Sequence, residues 1–269
     1  MIEFDVWWLA YPVLGAVVGF FAGLLGVGGG AIMVPMLTTF FVAQGFPHDQ
    51  VLHLALGTSM AGIVLTSISS LRAHHQRGAV RWDIVRGITP GILFGTFAGT
   101  FIASRVDTVP LAIFFSLFMA YVSVQMLVNI KPKPSREIPG GVGLSAAGAG
   151  IGGFSALVAI GGGSLSVPFM TWCNVKMQHA IGTSSAIGLP IAVAGTVGYM
   201  VNGWGTPGMP DYTLGYIYLP ALVLVSAVSV IAAPAGASLA HRLPVATLKK
   251  IFAGVLIALC LKMLHSVFG

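Results

Sequence analysis

The sequence predicts an all-α protein that crosses a membrane many times and consists of two inverted structural repeats of about five helical segments each. Three observations carry this prediction. Apolar runs of about 20 residues, the length that spans a bilayer, recur along the whole chain. Only 7% of the residues are charged and 56% are hydrophobic, which cannot make a water-facing surface. A glycine-rich motif and its surroundings also occur twice, as in a duplicated unit.

The first repeat covers residues 1–130, with segments at about 7–26, 31–43, 53–71, 84–104 and 109–129. Its second segment has only about 13 residues, which at about 1.5 Å per residue cannot cross a core of ~30 Å. We interpret it as half of a hairpin, with its bend at the triglycine Gly28-Gly29-Gly30. Broken helices of this kind are expected in the first repeat.

The second repeat covers residues 139–269 and follows a polar, proline-containing linker at 131–138. Its segments are at about 143–160, 164–173, 179–200, 215–240 and 245–267. Gly161-Gly162-Gly163 and Pro168 repeat the spacing of the first triglycine and Pro35. Further pairs are residues 15–36 with 148–169, 55–61 with 180–186, and 99–105 with 236–242. The bend after the first segment is therefore predicted in both halves.

The positions of the basic residues predict the orientation. The stretch after the third segment, expected to be a loop, carries Arg72, Arg77, Arg81 and Arg86, whereas its counterpart in the second repeat has no Lys or Arg. Basic loops stay inside. We therefore expect a multi-pass protein of the cell inner (plasma) membrane, with the N-terminus outside and the linker cytoplasmic. The two repeats then run in opposite directions, and Arg105 is the one basic residue on the unexpected side.

Composition and motifs also limit the class of function. The formal net charge of +6 comes from residues between apolar runs, where they orient a membrane protein rather than bind nucleic acid. Cys173 and Cys260 form neither a disulfide framework nor a metal-binding pattern. Paired carboxylates, an H-E-x-x-H motif and a nucleophile elbow are absent from the sequence. We expect no nucleic-acid partner, no metal, no cofactor and no enzymatic activity.

The triglycines predict a site for a small oxyanion. Irregular backbone within a membrane survives where it lines a cavity or is buried in protein, and a helix that starts there points unpaired N–H groups at the bend. The hydroxyls of the two Gly-Thr-Ser motifs are expected to line the same site. The candidate substrate-binding residues are Gly28, Gly29, Gly30, Ala31, Thr58, Ser59, Gly161, Gly162, Gly163, Ser164, Thr183 and Ser184.

Other interpretations of these residues stay open. The triglycines can serve helix packing alone, as we expect for Gly15, Gly19, Gly95 and Gly99, and the hydroxyls can serve helix–helix hydrogen bonds. His53 and His179 precede the Gly-Thr-Ser motifs and could carry a coupled proton or only make contacts. The predicted spans hold no buried carboxylate, since each Asp lies at a segment end or in a loop. That distribution disfavours a cation carrier.

Taken together, these motifs resemble the TauE/SafE family, also called the TSUP or DUF81 group. The resemblance covers essentially the whole chain and is carried by Gly26, the two triglycines, Pro35 and Pro168. The position of Gly26 holds Ala159 in the second half, so the halves need not contribute equally. The resemblance implies inner-membrane transport of sulfite, sulfoacetate or other sulfur-containing organic anions.

The function expected from residues and resemblance is a secondary transporter that exports a small sulfur-containing oxyanion, such as sulfite or an organosulfonate, by alternating access. Its partners are the anionic substrate and the lipid bilayer. A passive anion channel, a permease for another small organic anion and a membrane protein without transport activity are the alternatives. Homodimer formation and coupling to protons or sodium are left open by the sequence.

Overall fold

The computed structural model of the protein describes residues 6–25, 29–128, 135–240 and 245–268. Helices make up nearly all of the regular structure in these ranges. They are α1 Trp7–Leu25, α2 Gly30–Ala43, α3 Val51–Gln76, α4 Trp82–Ala103, α5 Thr108–Val128, α6 Gly141–Val158, α7 Gly163–Trp172, α8 Met177–Asn202, α9 Leu219–Ala240 and α10 Val245–Phe268. Two strands of two residues each, β1 Thr213–Leu214 and β2 Ile217–Tyr218, pair just before α9.

The lengths of the helices confirm the all-α, multi-pass class. Among the described residues, six helices are long and apolar enough to cross a membrane: α3, α4, α5, α6, α8 and the Lys250–Phe268 part of α10. By contrast, α2 has 14 residues and α7 has 10. At about 1.5 Å per residue neither crosses a core of ~30 Å, which agrees with the half-helices expected after the triglycines.

The two long helices α3 and α8 pack against each other and form the centre of the molecule. Their most apolar windows are 78% and 61% buried, against 28–50% for the other spanning helices. Around this centre α1 packs along α9, α4 along α6, and α5 along α10, while α2 lies on α3 and α7 on α8. Every half-helix therefore packs directly on one central helix.

Glycines permit the close helix pairs. Gly15 and Gly19 of α1 lie against the main chain of Val225 and Ser229 in α9, so any side chain there would collide with backbone. The α4–α6 pair is built in the same way: Gly95 and Gly99 lie against Ala149 and Gly153, and Gly148 and Gly152 against Ile88 and Ile92. The packing role expected for Gly15, Gly19, Gly95 and Gly99 is confirmed.

Two local expectations were wrong. The basic stretch after the third segment is mostly helical, since α3 continues to Gln76 and α4 begins at Trp82. Good helix formers carry α3 through Leu71–Gln76, and the first strong stop is Gly78, which adopts a left-handed conformation with φ +64. The segment expected from 215 starts as a helix only at Leu219, because Gly215, with φ +58, makes the turn between the two strands.

Candidate functional site

The start of α2 lies against the break between α6 and α7. Gly28 lies outside the described residues, Gly29 precedes α2, and Gly30 is its first residue. The α-carbon of Gly30 faces the carbonyl of Ala159, just ahead of the second triglycine, so a side chain at Gly30 would collide with that carbonyl. The side chain of Ile63 on α3 lies close to both Gly30 and Gly161. The start of α2 is therefore placed against the second bend.

A narrow cleft lies at the start of α2, between α1, α2, α3 and α9. Its lining residues are Val18, Gly29, Met33, Gly62, Ile63, Thr66, Val225, Ser226 and Ser229. The cleft leaves room for roughly one water molecule. Gly29 cannot carry a side chain here, because the Val18 side chain occupies that space. Of the predicted site residues Gly29 lines the cleft directly, and Gly30 and the buried Ala31 follow it in the first turn of α2.

Two hydroxyls from α9 face this cleft without a hydrogen-bond partner. Ser226 is 5% exposed and Ser229 is 2% exposed, and neither Oγ atom has a hydrogen-bond partner among the residues that the structure describes. Leaving a buried hydroxyl unpaired costs about 1–3 kcal/mol. The sequence analysis missed both residues. Their signal was a pair of hydroxyls three residues apart, on one face of a helix whose other residues, apart from Ser238, are apolar.

The electrostatics of the cleft come from the helix rather than from side chains. The first N–H groups of α2 point out of the helix at its positive end. The residues that line the cleft include no Lys, Arg or His. Hydroxyl and main-chain N–H groups both donate hydrogen bonds, so the arrangement suits a ligand rich in acceptor oxygens.

The second triglycine has a different environment. Gly162 adopts the left-handed conformation, with φ +79, and α7 begins at Gly163. Ser166 of α7 donates a hydrogen bond from its Oγ to the Oγ of Ser184, at 2.8 Å, and both side chains are buried. Gly161 lies against Ile63 and Ser164 is partly buried. Here the predicted hydroxyl of Ser184 is already paired within the protein.

The first Gly-Thr-Ser motif holds the chain ahead of α9. The Oγ1 atom of Thr58 accepts a hydrogen bond from the main-chain N–H of Tyr218, at 2.9 Å. Gly57 lies against the carbonyl of Tyr216. Ser59 is fully buried and its Oγ has no partner. Neither Thr58 nor Ser59 is among the residues that line the cleft.

The second motif makes the equivalent contacts ahead of α4. The Oγ1 atom of Thr183 accepts a hydrogen bond from the main-chain N–H of Arg81, at 3.0 Å. Gly182 lies against the carbonyl of Ala79. In each motif the glycine leaves room for a carbonyl group of a neighbouring segment. The threonine then accepts a hydrogen bond from the main-chain N–H two residues later in that same segment.

The two histidines singled out by the sequence make main-chain contacts. The Nε2 atom of His53 lies 3.0 Å from the carbonyl oxygen of Ala103 and 3.1 Å from that of Val106. A carbonyl only accepts, so Nε2 carries the proton and ties α3 to the end of α4. The Nδ1 atom of His179 lies 3.3 Å from the carbonyl oxygen of Ala79. Neither histidine lines the cleft.

Comparisons with known proteins agree across nearly the whole chain. The model of the family described as "Sulfite exporter TauE/SafE" matches residues 11–263. A "Probable membrane transporter protein" of Haemophilus influenzae is 37% identical over 259 residues, covering 93% of this chain and 96% of its own. A relative from Bacillus subtilis, YdhB, described in the same words, is 26% identical over 86% of this chain and 89% of its own. No solved structure matches.

Proposed function

The chain belongs to the sulfite exporter TauE/SafE family, and from this premise we propose that it carries a small sulfur-containing oxyanion through the cleft at the start of α2. The protein is a multi-pass membrane protein and a membrane transporter. Sulfite or an organosulfonate is the proposed substrate, export is the proposed direction, and alternating access is the proposed mechanism.

The single observation that carries the proposal is the donor set of the cleft. Ser226 and Ser229 present two buried, unpaired hydroxyls to the space where α2 begins. An oxyanion supplies acceptors for both, and it also satisfies the unpaired N–H groups at the start of the helix. A hydrogen bond to a charged group contributes about 1.5–3 kcal/mol. Two such bonds and the helix end are sufficient to bind a small anion without a basic side chain.

The arrangement of the helices supports alternating access by two inverted repeats, at residues 1–130 and 139–269, joined by the linker 131–138. Gly19 and Gly152, which pair in the sequence alignment, contact Ser229 and Ile92. Those two residues pair with each other in the register that joins 99–105 to 236–242. Equivalent glycines thus make equivalent contacts. The cleft itself joins the proposed repeats, since α9 belongs to the second.

We place the protein in the cell inner membrane with the N-terminus outside and the linker cytoplasmic, on the distribution of basic residues. In the structure the cleft has room for roughly one water molecule, which is too small for sulfite. Transport therefore requires the half-helix α2 and the helices around it to separate, first on one side of the membrane and then on the other.

Uptake of labelled sulfite into proteoliposomes tests the proposal. The wild type should show saturable uptake, and Ser226→Ala with Ser229→Ala should reduce its initial rate at subsaturating sulfite at least about tenfold, since two charged hydrogen bonds are lost. The matched control is Ser123→Ala, which removes another buried, unpaired hydroxyl, on α5. An uptake rate in the double variant equal to that of the wild type would show that the cleft does not take part in transport. Absence of wild-type uptake of sulfite, sulfoacetate, taurine and thiosulfate would overturn the substrate class.

A further inference from the structure

The charge of the cleft restricts the ligand beyond its chemical class. We propose that the cleft accepts only singly charged oxyanions, so that sulfite crosses the membrane as hydrogen sulfite and the accompanying proton travels on the substrate. The inference rests on the proposed function and concerns the same cleft.

Among the described residues that line the cleft, the positive potential comes from the N-terminus of α2. A helix end is equivalent to about half an elementary charge. The cleft-lining residues supply no basic side chain, and the sequences of α1, α2 and α9 contain no Lys, Arg or His. A monoanion would leave about half a charge without compensation, whereas a dianion would leave about one and a half. Because burying uncompensated charge is costly, the cleft discriminates against the dianion.

Groups on the surrounding helices do not change this balance. The titratable and charged side chains of α1, α2, α3 and α9 are Tyr11, His53, Arg72, His74 and His75. The helix α10 also packs on α1 and α2, and it carries Lys249, Lys250, Cys260, Lys262 and His265. None of the described side chains among them lines the cleft. His53 precedes Gly62 by nine residues, about 13 Å along α3, and Arg72 follows Thr66 by six, about 9 Å. Among the described residues, none that lines the cleft has a side chain that titrates near neutral pH.

Sulfite itself supplies the titration. The dianion takes up one proton near neutral pH to give hydrogen sulfite, in a step that occurs in water before the ligand enters the cleft. No bond of the protein forms or breaks. Sulfate stays doubly charged throughout the neutral range, and methanesulfonate stays singly charged. A comparison of these three anions therefore distinguishes an effect of ligand charge from an effect of ligand shape.

The test measures initial uptake of labelled sulfite into proteoliposomes between pH 6 and 8, with the same pH on both sides and protein-free liposomes as the blank. At subsaturating total sulfite, the uptake rate should fall as the pH rises from 6 to 8, in proportion to the fraction of sulfite present as hydrogen sulfite. Unlabelled methanesulfonate should compete equally at both ends of this range, which excludes titration of the protein as the cause. Unlabelled sulfate should not compete.

A positive charge introduced into the cleft should let the cleft accept a dianion. Thr66 lines the cleft on α3, and Thr66→Lys should allow sulfate to compete with sulfite. The matched control is Thr39→Lys on α2, because Thr39 bonds to the carbonyl of Pro35 and does not line the cleft. If Thr66→Lys does not fold, competition by sulfate in the wild type still decides.

The outcomes separate the two proposals. Uptake that depends on Ser226 and Ser229 but is independent of pH, or that sulfate inhibits as strongly as methanesulfonate does, would overturn the charge selectivity and leave the proposed function standing. Uptake of sulfoacetate or thiosulfate, which are dianions at neutral pH, would also overturn the charge selectivity alone. Absence of uptake of sulfite, sulfoacetate, taurine and thiosulfate at every pH would overturn the proposed function instead.

Discussion

Thr58 and Thr183 show how a short motif positions a helix start. Each hydroxyl accepts a main-chain N–H from a residue just before a long helix, Tyr218 before α9 and Arg81 before α4. The sequence predicted that the hydroxyls of both motifs line the anion site, with helix–helix hydrogen bonds as the alternative. It could not predict the partners, because they lie 160 and 102 residues away along the chain. A local pattern holds no information about such distant pairs.

The first prediction at the residue scale concerns these threonines. Thr58→Val and Thr183→Val keep the side-chain shape but leave a main-chain N–H unpaired, so each should lower the free energy of unfolding by about 1–3 kcal/mol. Thermal unfolding of the purified protein in detergent measures the loss. Thr39→Val is the control, since the hydroxyl of Thr39 bonds only within its own helix and should contribute little. Equal midpoints for Thr58→Val and Thr39→Val would contradict the role assigned to the motif.

At the scale of helices, the positions and lengths of most elements were predictable. Runs of apolar residues gave ten segments, and the two shortest correspond to α2 and α7. The main error was the end of α3, where basic residues were taken for a loop although they continue the helix to Gln76. Charge reports which side of a membrane a stretch faces. It does not report whether the backbone there is helical.

Helix packing gives a second prediction with an internal control. Gly150 and Gly152 are two residues apart on α6 and therefore lie on different faces of this helix. A Cβ at Gly150 meets open space, whereas one at Gly152 would lie 2.6 Å from both the Ile92 carbonyl oxygen and the Thr96 hydroxyl. Gly152→Ala should therefore destabilise the protein by about 1–3 kcal/mol, the cost of overpacking. Gly150→Ala should be neutral or stabilising, by up to about 1 kcal/mol. Thermal unfolding in detergent compares them, and a Gly152→Ala midpoint at or above that of Gly150→Ala would contradict the close α4–α6 contact.

For the whole molecule, the amino-acid composition was sufficient to predict the fold class, but it did not show which residues form the site. The start of α2 was predicted as a donor group, and Gly29 does line the cleft. The packing of α1 along α9 determines which helix lies opposite the start of α2. This packing places Ser226 and Ser229 in the cleft. In the register that pairs the repeats, α4 has Thr89 and Ile92 at these positions. The cleft at the first triglycine is therefore not duplicated residue by residue.

The central claim is that this cleft holds the transported anion, and equilibrium binding tests it most directly. Labelled sulfite should bind the purified wild-type protein in detergent at pH 6. Ser226→Ala with Ser229→Ala should raise the dissociation constant at least about tenfold, since every 1.4 kcal/mol is a factor of ten and each lost bond is worth about as much. Ser123→Ala should bind as the wild type does. An unchanged dissociation constant in the double variant would show that the anion binds elsewhere and would contradict the account.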